Sequence, residues 1–209
     1  MNSLKVGVIG TGHLGKLHVK MFKHIKNCEL IGVYDTNLIQ SKAAASEYNV
    51  IEFENINDLL DEVEAVSIAA TTSSHFELVK KSLESGKHVF VEKPITTTIT
   101  EAEMLVKIAG EKKLNLQVGH IERFNPALVS LEKYIIKPMF IQTDRLAQFN
   151  PRGTDVAVVL DLMIHDIDII LSLIKSEVDH VEASGVAVVS DNIDIANARI
   201  QFENGAVAM

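Results

Sequence analysis

Cysteine is nearly absent from this sequence: Cys28 is the only one among 209 residues. A lone cysteine can form neither an internal disulfide bond nor a zinc site built from several cysteines. The sequence also has no run of about 18 apolar residues that would suggest a membrane span, and its first residues, MNSLKVGVIG, lack the long apolar core of a signal peptide. We therefore expect a disulfide-free protein of the reducing cytoplasm, with no membrane as a partner.

Basic residues are fewer than acidic ones. There are 20 Lys and Arg against 28 Asp and Glu, which gives a formal net charge of −8. This balance argues against nucleic acid or an anionic membrane surface as the main partner, while it leaves room for a local basic pocket. With 47% hydrophobic residues the chain can bury a substantial core in one or two domains. We expect a globular protein.

Short β-rich segments alternate with helix-like segments over the first 120 residues. Such alternation is typical of a parallel sheet whose crossover helices cover both faces. It predicts a doubly wound (Rossmann) α/β domain over residues 1–120. The predicted strands are LKVGVI, ELIGVYD, AVSIAAT, HVFVEKP and LQVGH, and the predicted helices cover residues 14–25, 38–48, 76–85 and 100–113.

The pattern changes after Gly119, and we assign residues 121–209 to a second α/β domain. It has a predicted helix over 126–134, a strand near 139–146, a loop at 151–153 and a helix through 159–170. The segments VEASGVAVV, IANARIQF and AVAM then predict antiparallel strands. Asn204-Gly205 is a strong hairpin signal between the last two.

The first strand runs directly into a glycine-rich loop with the pattern Gly-x-Gly-x-x-Gly. A strand before it, a helix after it and an acid about 20 residues later are the context of a dinucleotide-binding loop. Asp35, twenty residues after the last glycine, could bind the ribose hydroxyls and would repel a 2′-phosphate. Thr36 and Asn37 follow it instead of arginine, which favours NAD over NADP, although Lys42 counts the other way. The predicted contacts in the loop are Gly10, Thr11, Gly12, His13, Leu14 and Gly15.

Two further predicted strands end in residues that suit the same cofactor edge. The third ends near Ala70, Thr71 and His75, and the fourth ends in Glu92-Lys93-Pro94. Because ligands bind at the carboxyl ends of strands in a doubly wound sheet, we predict that these residues contact the cofactor. His75 could equally be an ordinary residue of a helix start, and Lys93-Pro94 an ordinary surface turn.

The apolar stretch VLDLMIHDIDII carries four titratable residues. On a helix that turns about 100° per residue, Asp161, His165 and Asp168 fall within roughly 60° of one another, and Asp166 points elsewhere. Three interpretations are open: a solvated helix end, a proton-transfer site, or a metal site built on His165-Asp166. The metal interpretation lacks convincing companion ligands, so we expect no metal.

The segments VIGTGHLG, VFVEKPI and LDLMIHDID, in that order, resemble the Gfo/Idh/MocA oxidoreductases. The resemblance spans the chain and implies a nucleotide-binding domain followed by an α/β domain with an open, mostly antiparallel sheet. That sheet often mediates oligomerisation in the family, which implies a homo-oligomer. Family members continue beyond the equivalent of Met209, so the resemblance also implies a fragment with an incomplete second domain.

The resemblance further implies a catalytic set of Lys93, Asp161 and His165. His165 would be the base that takes a proton from a sugar hydroxyl. Asp161 would orient its imidazole or hold a substrate hydroxyl, and Lys93 would stabilise negative charge on oxygen. Asp168 would be structural or face solvent.

Two longer segments, GHIERFNPAL and NPRGTDVAVVLDLMIHDIDIILSL, resemble a branch of the family that oxidises the 3-hydroxyl of UDP-N-acetylglucosamine in the synthesis of a modified lipid A. Arg123, Asn125 and Arg152 are then candidate contacts to the substrate, because arginine binds diphosphate in a forked geometry. Ordinary surface charge would explain each of them equally well. The alternatives for the function are a dehydrogenase of myo-inositol or another cyclitol, and a non-catalytic NAD-binding regulator that senses a sugar.

Overall fold

The alternating segments of the first 120 residues form a parallel sheet of six strands. The structure is a computed structural model that describes residues 3–131, 133–134, 136–147 and 156–209. It divides into two compact units, which meet in the sequence between Gly119 and His120. The six strands are β1 (Leu4–Ile9), β2 (Cys28–Tyr34), β3 (Ile51–Phe53), β4 (Ala65–Ile68), β5 (His88–Val91) and β6 (Leu116–Val118).

The strands of this sheet lie in the order β3-β2-β1-β4-β5-β6, and every neighbouring pair is parallel. The order therefore reverses between β1 and β4, which is where a doubly wound sheet opens a crevice for a ligand. The connecting helices are α1 (His13–Phe22), α2 (Leu38–Tyr48), α3 (Ile56–Glu62), α4 (Thr72–Glu84) and α5 (Ile99–Lys112).

Alternate side chains of the strands pack into two separate cores, one on each face of the sheet. On β1, Val8 packs with Val19 of α1 and Ala45 of α2, whereas Ile9 packs in a cluster that includes Leu59 of α3. Successive residues of a strand point to opposite faces, so one short apolar run supplies both cores. Burying a side chain of this size stabilises the fold by about 1.5–3 kcal/mol.

The helix ends follow from local sequence. Thr98 and Glu101 form a capping box at the start of α5, in which each side chain binds the other residue's backbone N–H. The side chain of Asn37 accepts two backbone N–H groups at the start of α2. No helix in the described ranges is long and apolar enough to cross a membrane.

The second unit is built around a smaller mixed sheet. Its strands are β7 (Phe140–Ile141), β8 (Val178–Val186), β9 (Ile195–Phe202) and β10 (Val207–Ala208), in the order β7-β10-β9-β8. The pairs β8-β9 and β9-β10 are antiparallel, and β7-β10 is parallel. Its helical elements are a 3₁₀ turn (Ile121–Phe124), α6 (Pro126–Val129), a π-helical turn (Val159–Met163) and α7 (Ile164–Leu173).

The predicted fold class is confirmed, and several details differ. The strand β3 and the helix α3 were not predicted, because their three and seven residues are too few to show a clear period. The predicted helix over 126–134 ends at Val129, since the chain continues in tighter turns: the N–H of Leu131 binds the carbonyl of Leu128. The predicted hairpin at Asn204-Gly205 is present, with Gly205 at φ +83°. The predicted loop at 151–153 lies outside the described residues.

Candidate active site

The carboxyl edge of the first sheet gathers most of the predicted cofactor residues. The glycine-rich loop follows β1, Asp35 follows β2, Ala70 and Thr71 follow β4, and Glu92 and Lys93 follow β5. Backbone hydrogen bonds continue the sheet into these loops: the N–H of Ala69 binds the carbonyl of Ile9 at 2.9 Å, and that of Glu92 binds Ile68 at 2.9 Å. The loops are therefore held in place by the strands that precede them.

Two of the three glycines in the loop are needed for close packing, and the third borders open space. Gly10 adopts φ +88°, and a Cβ there would lie 2.7 Å from the carbonyl oxygen of Ala69. A Cβ on Gly15 would collide with the carbonyl oxygen of Gly10. A Cβ on Gly12 would meet no described atom within 4 Å. Gly10 and Gly15 thus allow the tight packing of loop and helix, and Gly12 borders open space into which a phosphate group could come close to the backbone.

Asp35 is bonded directly to the glycine-rich loop. Its Oδ2 accepts the backbone N–H of Thr11 at 2.6 Å and the Thr11 hydroxyl at 2.9 Å. Its Oδ1 accepts the backbone N–H of Asn37 at 2.8 Å. A carboxylate has about four acceptor positions, so about one is left for a ribose hydroxyl. The predicted binding of both hydroxyls would require Asp35 to give up one of these bonds.

These residues fit a bound dinucleotide. The first turn of α1 begins at the exposed residues His13 and Leu14, where backbone N–H groups and the helix dipole favour a phosphate. Thr11 is fully buried, so its contribution is the bond to Asp35 rather than a side-chain contact with the cofactor. Lys42, the residue that counted against NAD, lies 3.4 Å from Glu54, and both side chains are exposed.

His75 connects the ends of β4 and β5. Its imidazole is 1% exposed, with Nδ1 2.8 Å from the carbonyl oxygen of Pro94 and Nε2 3.2 Å from that of Ala70. The ring thus lies between the backbone segments that follow β4 and β5, and a neutral imidazole donates to one of the two carbonyl oxygens. Thr71, at the exposed start of α4, lies on the surface of the same edge. Direct contacts of these side chains with the cofactor remain predictions.

In the second unit, Asp161 and His165 lie on adjoining helical segments. Asp161 is in the π-helical turn Val159–Met163, and His165 is in the first turn of α7. A π-helical turn rotates less per residue than the about 100° of an α-helix, so residues four apart such as Asp161 and His165 stay close to the same face. The predicted α-helix over this stretch is therefore corrected at residues 159–163, and wide turns of this kind are frequent at functional sites.

The two other acids of this stretch form ion pairs. Asp166 accepts two hydrogen bonds from Arg145, both at 2.9 Å, and Asp168 accepts two from Arg123. Both carboxylates are buried, at 9% and 8% exposure, so Asp168 does not face solvent, which favours the structural alternative. The hydrogen bond to Asp168 raises the pKa of Arg123, and that to Asp166 raises the pKa of Arg145.

The hypothesis of a metal on His165-Asp166 finds no support in this geometry, because both oxygens of Asp166 are occupied by Arg145. Within the described ranges, no three His, Cys, Asp or Glu side chains are placed to hold a metal ion.

The predicted substrate contacts have structural partners. Arg123 uses two of its five donors on Asp168. The side chain of Asn125 accepts the backbone N–H of Ala127 and donates to Glu122, which makes it the cap of α6. Arg152 lies outside the described residues. Their contacts with a substrate remain predictions, as does the joint action of Lys93, in the first unit, with Asp161 and His165, in the second.

The sequence did not point to four residues that contact Asp166, Asp168 or Glu92 or lie beside them. Arg145 and His120 were not considered, although His120 Nδ1 lies 3.9 Å from Asp168. His18 and Ser67, described below, were also missed. For His18 the signal was its place three residues after Gly15 on the first helix, which puts it on the same face one turn further along.

Comparisons with known proteins agree with this architecture. The model of an oxidoreductase family with an NAD-binding Rossmann fold matches residues 4–120, and that of the Gfo/Idh/MocA C-terminal domain matches residues 141–209. The UDP-N-acetylglucosamine 3-dehydrogenase of Acidithiobacillus ferrooxidans is 40% identical over 209 residues, which is 100% of this chain and 66% of that protein. Its crystal structure superposes with a TM-score of 0.93 over 100% of this chain and 68% of that chain.

A second relative acts on a cyclitol. The NAD-dependent scyllo-inositol 2-dehydrogenase of Bacillus subtilis is 27% identical over 224 aligned positions, which cover 98% of this chain and 66% of that protein. The chain therefore spans slightly less than two thirds of the length of these two curated relatives.

Proposed function

Because the chain belongs to the Gfo/Idh/MocA oxidoreductase family, we propose that the whole protein is an NAD-dependent dehydrogenase that oxidises the 3-hydroxyl of UDP-N-acetylglucosamine to a ketone. The observation that carries this proposal is the 40% identity over all 209 residues to an enzyme of that activity. The glycine-rich loop with its bonded Asp35 supports the choice of NAD. A small sugar substrate is consistent with both relatives.

The chemistry assigns one task to each of three residues. When bound, NAD accepts the hydride from the carbon that carries the hydroxyl. His165 takes the hydroxyl proton, because an imidazole has a reference pKa near neutrality. Asp161, four residues earlier, orients that imidazole or holds a neighbouring hydroxyl. Lys93 stabilises negative charge on the oxygen as its proton leaves.

The surroundings of these residues support the proposal. Asp166 and Asp168, which follow the base by one and three residues, are each paired with an arginine, so their charges do not compete with Asp161 for the imidazole. Lys93 directly follows a buried carboxylate, Glu92. A homo-oligomer formed through the second sheet, a cytoplasmic location and a role in lipid A synthesis belong to the same proposal.

The test is product formation by the whole protein. With NAD and UDP-N-acetylglucosamine we expect NADH and a 3-keto sugar nucleotide, trapped with a carbonyl reagent because the oxidation is uphill, and located by mass spectrometry and NMR. Turnover of myo-inositol with no reaction of any UDP-sugar would move the assignment to the cyclitol dehydrogenases. NAD binding with no turnover of either class would favour the sugar-sensing regulator.

Variants test the three assigned roles in the same assay. His165→Ala and Lys93→Ala should each remove most turnover and leave NAD affinity largely intact, because both serve the reacting hydroxyl. The matched controls are His24→Ala and Lys107→Ala, two exposed residues of the first unit. Near-normal turnover in either test variant would contradict its assigned role, and loss of NAD binding would indicate misfolding.

A further inference from the structure

Three side chains of the first unit form a hydrogen-bonded cluster near the carboxyl end of β5. The hydroxyl of Ser67, on β4, lies 2.8 Å from Nδ1 of His18, on α1. Nε2 of the same imidazole lies 3.0 Å from Oε1 of Glu92, the residue that follows β5. Ser67 is fully buried and Glu92 is 7% exposed. The hydrogen bonds of this cluster thus join α1 to β4 and to the residue that follows β5.

The chemistry of the three groups fixes the direction of the hydrogen bonds. An ionised carboxylate only accepts, so Nε2 of His18 must carry a hydrogen and donate it to Glu92. In a neutral imidazole Nδ1 is then an acceptor, and it receives the hydroxyl hydrogen of Ser67. The arrangement therefore predicts one tautomer for His18.

Serine, histidine and an acid in hydrogen-bond contact are also the residues of a hydrolase triad. Here the serine is fully buried within β4, where no substrate can reach its oxygen. The hydroxyl also contacts Nδ1, whereas the serine of a triad contacts Nε2. Nucleophilic catalysis by Ser67 is therefore excluded, and the cluster has a holding role.

Glu92 is held from a second side by the backbone that follows β6. A Cβ on Gly119 would lie 3.0 Å from Oε1 and 3.2 Å from Cδ of Glu92, and 3.1 Å from Cζ of Phe90. The backbone N–H of Gly119 also binds the carbonyl of Val91 at 2.8 Å. The carboxylate is thus confined between the imidazole of His18 and the backbone of Gly119, directly before Lys93.

We propose that His18 is a positioning residue for Lys93: its Nε2–H holds the Glu92 carboxylate, and this contact fixes the strand end from which the Lys93 side chain departs. The proposal rests on the proposed function, in which Lys93 serves the reacting hydroxyl. It assigns no contact between His18 and the substrate or cofactor.

Two substitutions separate the two hydrogen bonds of His18. The amide nitrogen of glutamine can take the place of Nε2, so His18→Gln keeps the bond to Glu92 and loses the one to Ser67. Asparagine reaches only the Nδ1 position, so His18→Asn loses the bond to Glu92. A displacement of about 1 Å at a catalytic group can lower turnover by about 100-fold. We expect kcat to fall about 10- to 100-fold in His18→Asn, with KM and NAD affinity near the parent values, and to recover in His18→Gln.

A second variant reaches the same carboxylate without changing His18. Gly119→Ala should press on Glu92 and on the Phe90 ring that packs against His18, and lower kcat in the same way. Gly110→Ala, in α5, is its control, because a Cβ there meets no described atom within 4 Å. His24→Asn, an exposed histidine beyond the end of α1, is the control for the His18 variants. Parent-like kcat in both His18→Asn and Gly119→Ala would overturn the proposal.

NMR of the 209-residue chain tests the geometry without relying on activity. The ¹⁵N resonances of the His18 ring should show a protonated Nε2 and an accepting Nδ1, and they should shift in Glu92→Gln. The ¹³Cε resonance of Lys93 should shift in His18→Asn and return in His18→Gln. The opposite tautomer, or an unmoved Lys93 resonance, would overturn the proposal even if the enzyme is active. Absence of turnover in the parent protein together with the expected resonances would refute the proposed function alone.

Discussion

The ion pair between Arg123 and Asp168 gives a prediction that distinguishes a structural arginine from a substrate-binding one. Nε and Nη2 of Arg123 donate to the two oxygens of Asp168, which is 8% exposed. Arg123→Met keeps much of the apolar side-chain stem and removes the guanidinium. The carboxylate is then left with His120, whose Nδ1 lies 3.9 Å away, beyond hydrogen-bond distance.

The loss of stability expected in Arg123→Met follows from the burial of Arg123 and Asp168. Removing one partner of a buried ion pair costs about 3–5 kcal/mol, because the remaining charge stays buried. The side chain of Arg123 is 52% exposed, so water can reach Asp168 after truncation, and we expect the lower value of about 2–3 kcal/mol. This loss corresponds to an equilibrium constant for the opening of α7 that is about 30- to 160-fold larger.

Hydrogen exchange of the amides of α7, followed by mass spectrometry, measures this loss locally. Asp168→Asn added to Arg123→Met should recover part of the protection, because it removes the unpaired charge. Exchange within about twofold of the parent in Arg123→Met would refute the structural role. It would leave Arg123 as a residue whose charge serves a ligand.

Two further predictions concern carboxylates outside α7. Asp35 should make NAD bind more tightly than NADP, and Asp35→Ser with Thr36→Arg should shift the preference towards NADP; equal or tighter NADP binding by the parent in calorimetry would contradict this. The pKa of Asp194 is held well below its usual range by the backbone N–H groups of Ser190, Val188 and Val189 and by the Ser190 hydroxyl. Because the folded pKa is depressed, the stabilisation of the β8-β9 loop is complete above the ordinary aspartate value of about 3.9 and is lost as pH falls through the lower folded value. The carboxyl carbon of Asp194 should therefore titrate below those of exposed acids in NMR, and an ordinary titration would show that these bonds do not hold in solution.

The sequence allowed the doubly wound fold, the family and the cofactor to be predicted, and these predictions are confirmed. The fold followed from the alternation of short β-rich and helix-like segments, and the helices α2 and α5 end within one residue of their predicted limits. The family and the cofactor followed from the glycine-rich loop with Asp35 and from the resemblance of three short segments. The π-helical turn Val159–Met163 could not be predicted, since its apolar pattern suits an α-helix equally well.

Contacts between residues that lie far apart in the sequence could not be predicted from sequence patterns. Asp168 pairs with Arg123 across 45 residues, and Glu92 with His18 across 74. A helical wheel places Asp168 on the same face as His165. It does not show that Arg123 binds Asp168. These pairings depend on which elements the tertiary fold brings together, whereas a hydrophobic period records only which face of an element is buried.

The bonds between Thr11 and Asp35 make affinity and selectivity interdependent. The same carboxylate that would discriminate between the two dinucleotides also anchors the backbone of the loop that would receive their phosphates. An engineer who replaces Asp35 to admit a 2′-phosphate therefore also releases the loop, and binding of both dinucleotides should weaken before any new contact restores it. A change of coenzyme in this scaffold calls for a substitute tether to Thr11 as well as a cation near the ribose.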